Sequence, residues 1–275
     1  MTTEPQNDLA TARVLLVGCG KMGSAMLHGW LAAGLPAANA HVVEPGPTAG
    51  VPRGVDWVFK AEELPADLAP DVIVLAVKPQ MMDAAAAGFR PFVQRGGLVL
   101  SVAAGKTIAT YEGYFGHGTP VVRAMPNTPA AVGRGASVLV ANGHASPDQR
   151  RLAEQLMAAV GTTDWIEDEQ LMHVVTAMSG GGPAYVFLLI EAMAAAAEKL
   201  GLPADLAMRL ARTTVSGSGE LARLVPEPAA QLRKNVTSPN GTTQEALAVL
   251  MADDGIQQLF DKAIAAAARR SEELG

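Results

Sequence analysis

Asn235, Ser238, Thr242 and Thr243, close together near the end of the chain, have the types and spacing to grip a small acid. They surround the turn Ser238-Pro239-Asn240-Gly241, in which Pro239 and the Asn240-Gly241 pair are turn formers. The run from Gln244 to Met251 has helix-forming composition, so the turn opens a helix. Such a junction presents free backbone N–H groups and hydroxyls at the positive end of a helix dipole, which suits a carboxylate. The set contains no strong general base. It can serve hydride delivery to an already activated carbon, such as a protonated imine, where the protein positions the substrate and holds its carboxylate.

A hydride needs a carrier, and the opposite end of the chain offers a place for one. Arg13 to Val17 is an apolar run of strand length feeding Gly18-Cys19-Gly20-Lys21-Met22-Gly23, after which Ser24 to Ala33 reads as a helix stopped by Gly34. Strand, glycine loop and helix form the context in which G-x-G-x-x-G binds a dinucleotide. Gly18 allows the tight turn, Gly20 lets a pyrophosphate approach, and Gly23 permits close helix–strand packing. Lys21 and Met22 belong to the same candidate cofactor loop. A plain strand–helix turn without a ligand is the alternative. The next strand candidate, Ala40 to Glu44, places an acid 26 residues after the first loop glycine, later than the ~20 usual for the ribose-binding acid. Glu44 would repel a 2′-phosphate and favours NADH over NADPH. Arg53 lies near enough in sequence to receive that phosphate if the loop folds back.

Other chemistries find little support. The five histidines fall into no metal-ligand spacing, so no metal is expected, and no G-x-S-x-G elbow accompanies Ser179 or Ser238. His173 is a candidate acid or base, although its apolar neighbours at helical spacing favour packing. Glu169 precedes it by four residues on the same helix face. As a plain surface carboxylate it would need no role.

These residues must be held by a substantial scaffold. The 275 residues suggest one large or two moderate domains, and 49% hydrophobic with 17% charged residues excludes disorder. A net charge of −6 without a Lys/Arg cluster argues against nucleic-acid binding. The lone Cys19 excludes an intramolecular disulfide and suits a reducing compartment. Residues 1–11 read as a flexible arm without a signal sequence. The most membrane-like run, Ala184 to Ala197, is shorter than a span needs. A cytoplasmic, non-membrane protein is expected.

Strand-like runs at Asp71 to Val77, Leu98 to Val102, Val121 to Met125 and Ser137 to Ala141 alternate with helical stretches, the pattern of a parallel sheet. Small side chains at Ala103, Ala104 and Gly105 leave room for a dinucleotide across its edge. After about Trp165 only helical runs remain: Asp168 to Met178, Ala184 to Leu200, Ala204 to Leu224, Ala229 to Lys234, Gly241 to Ala252 and Ile256 to Leu274. The boundary therefore falls between residues 165 and 166. Val186, Leu188, Leu189, Ile190, Met193 and Ala196 make one helix apolar nearly all round, which predicts a homodimer interface on this domain.

Six motifs in order carry a resemblance. They are Gly18 to Gly23, Ala76-Val77-Lys78-Pro79-Gln80, Ser101 to Gly105, Met125-Pro126-Asn127-Thr128-Pro129, Ser179-Gly180-Gly181-Gly182-Pro183-Ala184-Tyr185 and Val236 to Thr243. Together they resemble pyrroline-5-carboxylate reductase from about Arg13 to Glu273. The first motif is shared by many dehydrogenases; the last two, with their spacing, are specific.

The resemblance implies an α/β fold: an N-terminal Rossmann-type dinucleotide-binding domain, then an all-α dimerisation domain, with dimers often assembled into rings. It implies NAD(P)H reduction of 1-pyrroline-5-carboxylate to L-proline. By motif, Ala76, Val77, Lys78, Pro79 and Ala104 line the cofactor, and Asn235 reaches cofactor or substrate. Ser238, Gly241, Thr242 and Thr243 hold the substrate carboxylate, chiefly through the threonine N–H groups. The Thr243 hydroxyl faces the ring nitrogen as the catalytic group, and Glu169 lies beside the bound ring. The chain departs from the usual pattern at Gly181 (usually Ser), at Asn240 (usually Gly) and at Glu44 (often neutral or hydroxylic). A reductase of the six-membered imino acid and a non-catalytic dinucleotide sensor are the rival readings.

Overall fold

The computed structural model describes residues 8–46 and 51–274. Its strands are β1 (Val14–Val17), β2 (Ala40–Val43), β3 (Asp56–Val58), β4 (Val72–Leu75), β5 (Leu98–Ser101), β6 (Val121–Met125), β7 (Gly135–Ala141) and β8 (Gly161–Trp165). They form one sheet in the order β3-β2-β1-β4-β5-β6-β7-β8. Every pairing is parallel except that of β6 with β7. The all-parallel expectation is corrected there, because β7 runs back beside β6. Two strands beyond those read from the sequence, β3 and β8, form the sheet's edges.

The helices between strands are α1 (Lys21–Ala32), α2 (Met82–Val93), α3 (Ile108–Phe115) and α4 (Pro147–Ala158). Val14 and Leu16 face one core layer with Met26, Trp30 and Leu156, while Leu15 and Val17 face another with Met82, Phe89 and Phe115. A sheet covered on both faces demands apolar side chains at every position, which explains the unbroken Val/Leu/Ile runs of β1 and β4.

The arm expected over residues 1–11 is corrected from Asp8 onward. Asp8–Ala10 form a 3-10 turn with Leu9 buried, and Arg151 Nε donates to Asp8 Oδ2 at 2.6 Å. The remainder of that expectation, residues 1–7, lies outside the described residues.

After β8 come a 3-10 turn (Glu169–Leu171), α5 (Met172–Val175), a π turn (Thr176–Gly180), α6 (Gly182–Lys199), α7 (Ala204–Leu224), α8 (Ala229–Asn235), α9 (Thr242–Leu250) and α10 (Ile256–Glu273). The chain divides into two compact units, the first running to Gly180 and resuming at Ala267, the second spanning Gly181–Ala266. The turns and α5 that follow residue 165 are thus grouped with the sheet.

In the second unit the only buried side chains among the described residues are Ala194, Ala207 and Ala211. These small residues let α6 and α7 pack closely. The remaining apolar surface is open: Phe187 is 59% and Leu188 63% exposed. The Ala184–Ala197 run is also longer than expected in effect. With the turns before it, Glu169–Lys199 spans 31 residues and holds an 18-residue window of mean hydropathy 1.3, enough by length and composition alone to cross a membrane.

Candidate functional site

The strand order reverses beside β1: the chain passes to β2 on one side and later to β4 on the other. Ligands of open α/β sheets bind at such a point, beyond the carboxyl ends of the strands. The glycine loop sits there. Gly18 has φ +92°, and a Cβ on it would lie 2.9 Å from the Ala76 backbone. A Cβ on Gly23 would lie 2.1 Å from the Gly18 carbonyl oxygen. Both glycines are therefore required by the protein's own packing.

Gly20 differs from them. Its φ of −68° suits any residue, and a Cβ there would meet nothing within 4 Å. The space is open at the N-cap of α1, where no side chain caps the helix. An open face over uncapped N–H groups fits a pyrophosphate. Burial, and then the nearby Glu44 charge, push the Cys19 thiol up, so it stays protonated and unreactive.

Glu44 directly follows β2, with Oε2 accepting the Cys19 N–H at 2.8 Å and Oε1 the Gly46 N–H at 2.9 Å. These bonds fix the carboxylate against the glycine loop. Arg53 is described, but residues 47–50 of its approach are not.

Ala76, Val77, Lys78 and Pro79 leave the end of β4, and the Ala76 N–H donates to the Val17 carbonyl at 2.8 Å. Ala104 follows β5, one residue after Ala103, whose N–H donates to Ser101 Oγ at 3.2 Å. Ser101 Oγ also hydrogen-bonds the buried Tyr111 hydroxyl. Burial pushes that phenol up to about 12, so it remains neutral. At the carboxyl end of the sheet Gly18 and Gly23 thus lie against Ala76, Gly18 also against Val77, and Cys19 against Glu44; Gly20, Lys21 and Met22 share that loop, Lys78 and Pro79 follow Val77, and Ala104 follows β5.

Glu169 is not a free surface carboxylate. Its Oε1 accepts Arg123 Nη1 at 2.5 Å and the Ile108 N–H at 2.7 Å. Asn127 holds the other end of this segment: Nδ2 donates to the Ser179 carbonyl at 3.1 Å, and Oδ1 accepts the Ala136 N–H at 2.9 Å. Sequence reasoning assigned Arg123 and Asn127 no role. The available signal was a lone charge inside the apolar run Val121-Val122-Arg123-Ala124-Met125. His173 Nδ1 lies 3.1 Å from Ser271 Oγ, where it ties down the last turns of α10.

The second unit carries the remaining residues. Asn240 has φ +59°, the only positive φ outside glycine among the described residues. Asn accepts this conformation more readily than most side chains, so the turn survives without the usual glycine. Gln244 Oε1 accepts the Asn240 N–H at 2.7 Å, while Gly241 serves as N-cap with no side-chain hydrogen bond. The Thr242 and Thr243 N–H groups take no partner among the described residues and face solvent with their hydroxyls. Ser238 lies beside Gly241, its carbonyl accepting the Gly241 N–H at 3.1 Å. Asn235 ends α8, its Oδ1 accepting Gln231 Nε2 at 2.7 Å. Gly181, at φ −80°, supplies no side-chain cap to α6.

The comparisons bear on both halves. A family model described as pyrroline-5-carboxylate reductase dimerisation matches residues 169–274, and one described as NADP oxidoreductase coenzyme F420-dependent matches 13–105. A pyrroline-5-carboxylate reductase of Pseudomonas aeruginosa is 41% identical over 97% of this chain and 98% of its own. One from Pisum sativum is 35% identical over 94% of each. The fold is similar to a solved pyrroline-5-carboxylate reductase from Coxiella burnetii, with TM-score 0.88, 35% identity and coverage of 96% of this chain and 99% of that one. It is also similar to Plasmodium falciparum pyrroline carboxylate reductase with NADP bound, with TM-score 0.83, 30% identity and coverage of 97% and 99%. The dimerisation match spans the helices whose apolar faces lie open, which supports oligomerisation of this chain. With an open glycine loop at the strand reversal, an uncapped late helix and relatives aligned along nearly their whole length, the chain belongs to the pyrroline-5-carboxylate reductase family.

Proposed function

We propose that this protein reduces 1-pyrroline-5-carboxylate to L-proline, the final step of proline synthesis. The observation that carries the reading is the start of α9, where the Asn240-Gly241 turn leaves the Thr242 and Thr243 N–H groups without acceptors. They bind the substrate carboxylate, each bond being charge-assisted and contributing roughly 1.5–3 kcal/mol. Ser238 and Gly241 shape the same turn, and Asn235 contacts cofactor or substrate from the end of α8. A reduced nicotinamide held at the glycine loop supplies the hydride that the imine carbon takes. The Thr243 hydroxyl faces the ring nitrogen and donates to the lone pair that develops there as the C=N bond becomes the amine, which leaves the ring N–H to another acceptor. Glu169, with one carboxylate oxygen open, is the candidate acceptor for the ring N–H.

Finer points follow from the same residues. Glu44, held by two backbone N–H groups, accepts the adenosine ribose hydroxyls and disfavours a 2′-phosphate, so NADH is the preferred cofactor. The open faces of α6 and α7 pair two subunits into a homodimer, and dimers assemble into a ring. The working compartment is the cytoplasm. The test is direct: protein, NADH and the five-membered imino acid should lose absorbance at 340 nm with formation of L-proline. Absence of turnover with either NADH or NADPH would overturn the reading.

A further inference from the structure

Arg123 is the only buried charged side chain among the described residues. It interrupts an apolar strand, and a guanidinium withdrawn from water is strongly unfavourable unless it is paired. Its partner is Glu169, bonded through Oε1, and that same oxygen accepts the Ile108 N–H at the first residue of α3. Oε1 therefore receives two donors, one of them charged. Oε2 accepts no hydrogen bond among the described residues, and the Glu169 side chain stays 25% exposed. A carboxylate held by one oxygen and open at the other is an acceptor with a fixed direction.

The rest of the segment is fixed from the same strand end. Asn127 holds the Ser179 carbonyl, and a Cβ on Gly180 would come within 2.6 Å of Met125 Cε. Between Glu169 and Ser179 the helix widens into the π turn, a feature frequent at functional sites. A partner needed only for neutralisation could be buried with Arg123; Glu169 instead keeps one oxygen available.

We propose that Arg123 is a positioning residue for the imine reduction: it holds Glu169 by one oxygen so that the other receives the substrate's ring N–H. Arg123 touches neither substrate nor cofactor. The inference rests on the function proposed above.

Steady-state kinetics on R123M, R123K, E169Q and the R123M/E169Q double variant test it, with NADH affinity measured separately by fluorescence titration. R123M and E169Q should each raise KM for the imino acid about tenfold or more, the loss of one hydrogen bond to a charged group, with NADH affinity unchanged. R123K, which keeps the charge, should stay within about threefold of the native chain. The double variant should be no worse than either single one, because both remove the same contact. A native KM in R123M, or effects that multiply in the double variant, would overturn the proposal. If R123M does not fold, E169Q decides alone, and an unchanged KM for the imino acid rejects it. A native chain that fails to consume NADH with the imino acid rejects the function itself; a native chain that does, beside an R123M equal to it, rejects only the role of Arg123.

Discussion

The first unit buries most of its large apolar residues and the second does not, and the two differ in what each needs to work. Around the sheet, β1, β4 and β5 are buried along their whole length, with helices on both faces. In the helical unit three alanines are buried, while Phe187, Leu188, Val249 and Leu259 lie more than half exposed. Burying a large apolar side chain contributes about 1.5–3 kcal/mol, so covering such faces against a second subunit supplies what the helices lack internally. The glycine loop is thus built into one chain's core, whereas α9, proposed above to hold the carboxylate, belongs to a unit that buries few side chains of its own.

The comparison can be broken most severely at the uncovered face. Leu188→Asp should dissociate the oligomer and lower kcat/KM by at least about a hundredfold, since a buried unpaired charge is strongly disfavoured; sedimentation showing an intact, active oligomer would contradict it. Next comes the self-sufficient unit. Gly23→Ala should keep the oligomer but weaken NADH binding by roughly thirty- to a hundredfold, because the new methyl meets the Gly18 carbonyl and pushes α1 off the loop. Fluorescence titration measures this, and native affinity would show that the loop relaxes freely.

Thr243→Ala separates the units more finely. It should leave NADH affinity unchanged while kcat/KM for the imino acid falls ten- to a hundredfold, or roughly 1.4–2.7 kcal/mol. The smallest effect is expected from Glu44→Ser. Paired kinetics should shift the NADPH-to-NADH ratio of kcat/KM about tenfold towards NADPH, with little change in proline formation under saturating NADH. An unmoved ratio would mean that Glu44 serves only Cys19 and Gly46.

Much of this was legible in the sequence, for identifiable reasons. Strands β1, β4, β5 and β6 announce themselves because burial on both faces forces continuous apolar runs. Edge strands β3 and β8 do not. Asp56-Trp57-Val58 and Gly161-Thr162-Thr163-Asp164-Trp165 carry the polar residues that a sheet margin tolerates and that resemble loops. The reversal of β7 was equally hidden, because an apolar run has no intrinsic direction. The glycine loop could be read residue by residue, since Gly18 and Gly23 answer to steric rules that the motif encodes. Glu169 was found, but its engagement was not: Arg123 lies 46 positions away, and only the fold brings the pair together. Asn240 stands between these cases, its left-handed turn foreseeable from the Asn-Gly pair.

The last turns of α10 return to the first unit, where Ser271 meets His173. The helical unit is therefore an excursion of the chain rather than an appendage, entered after Gly180 and left before Ala267. A protease nicking the glycine-rich entry at Gly180-Gly181-Gly182 cuts the chain in two, and the packing of the last turns of α10 on the first unit, His173 with Ser271 included, is then what holds the C-terminal piece. A clipped chain should migrate in gel filtration as though whole while that packing holds, and separate into two pieces under denaturing conditions.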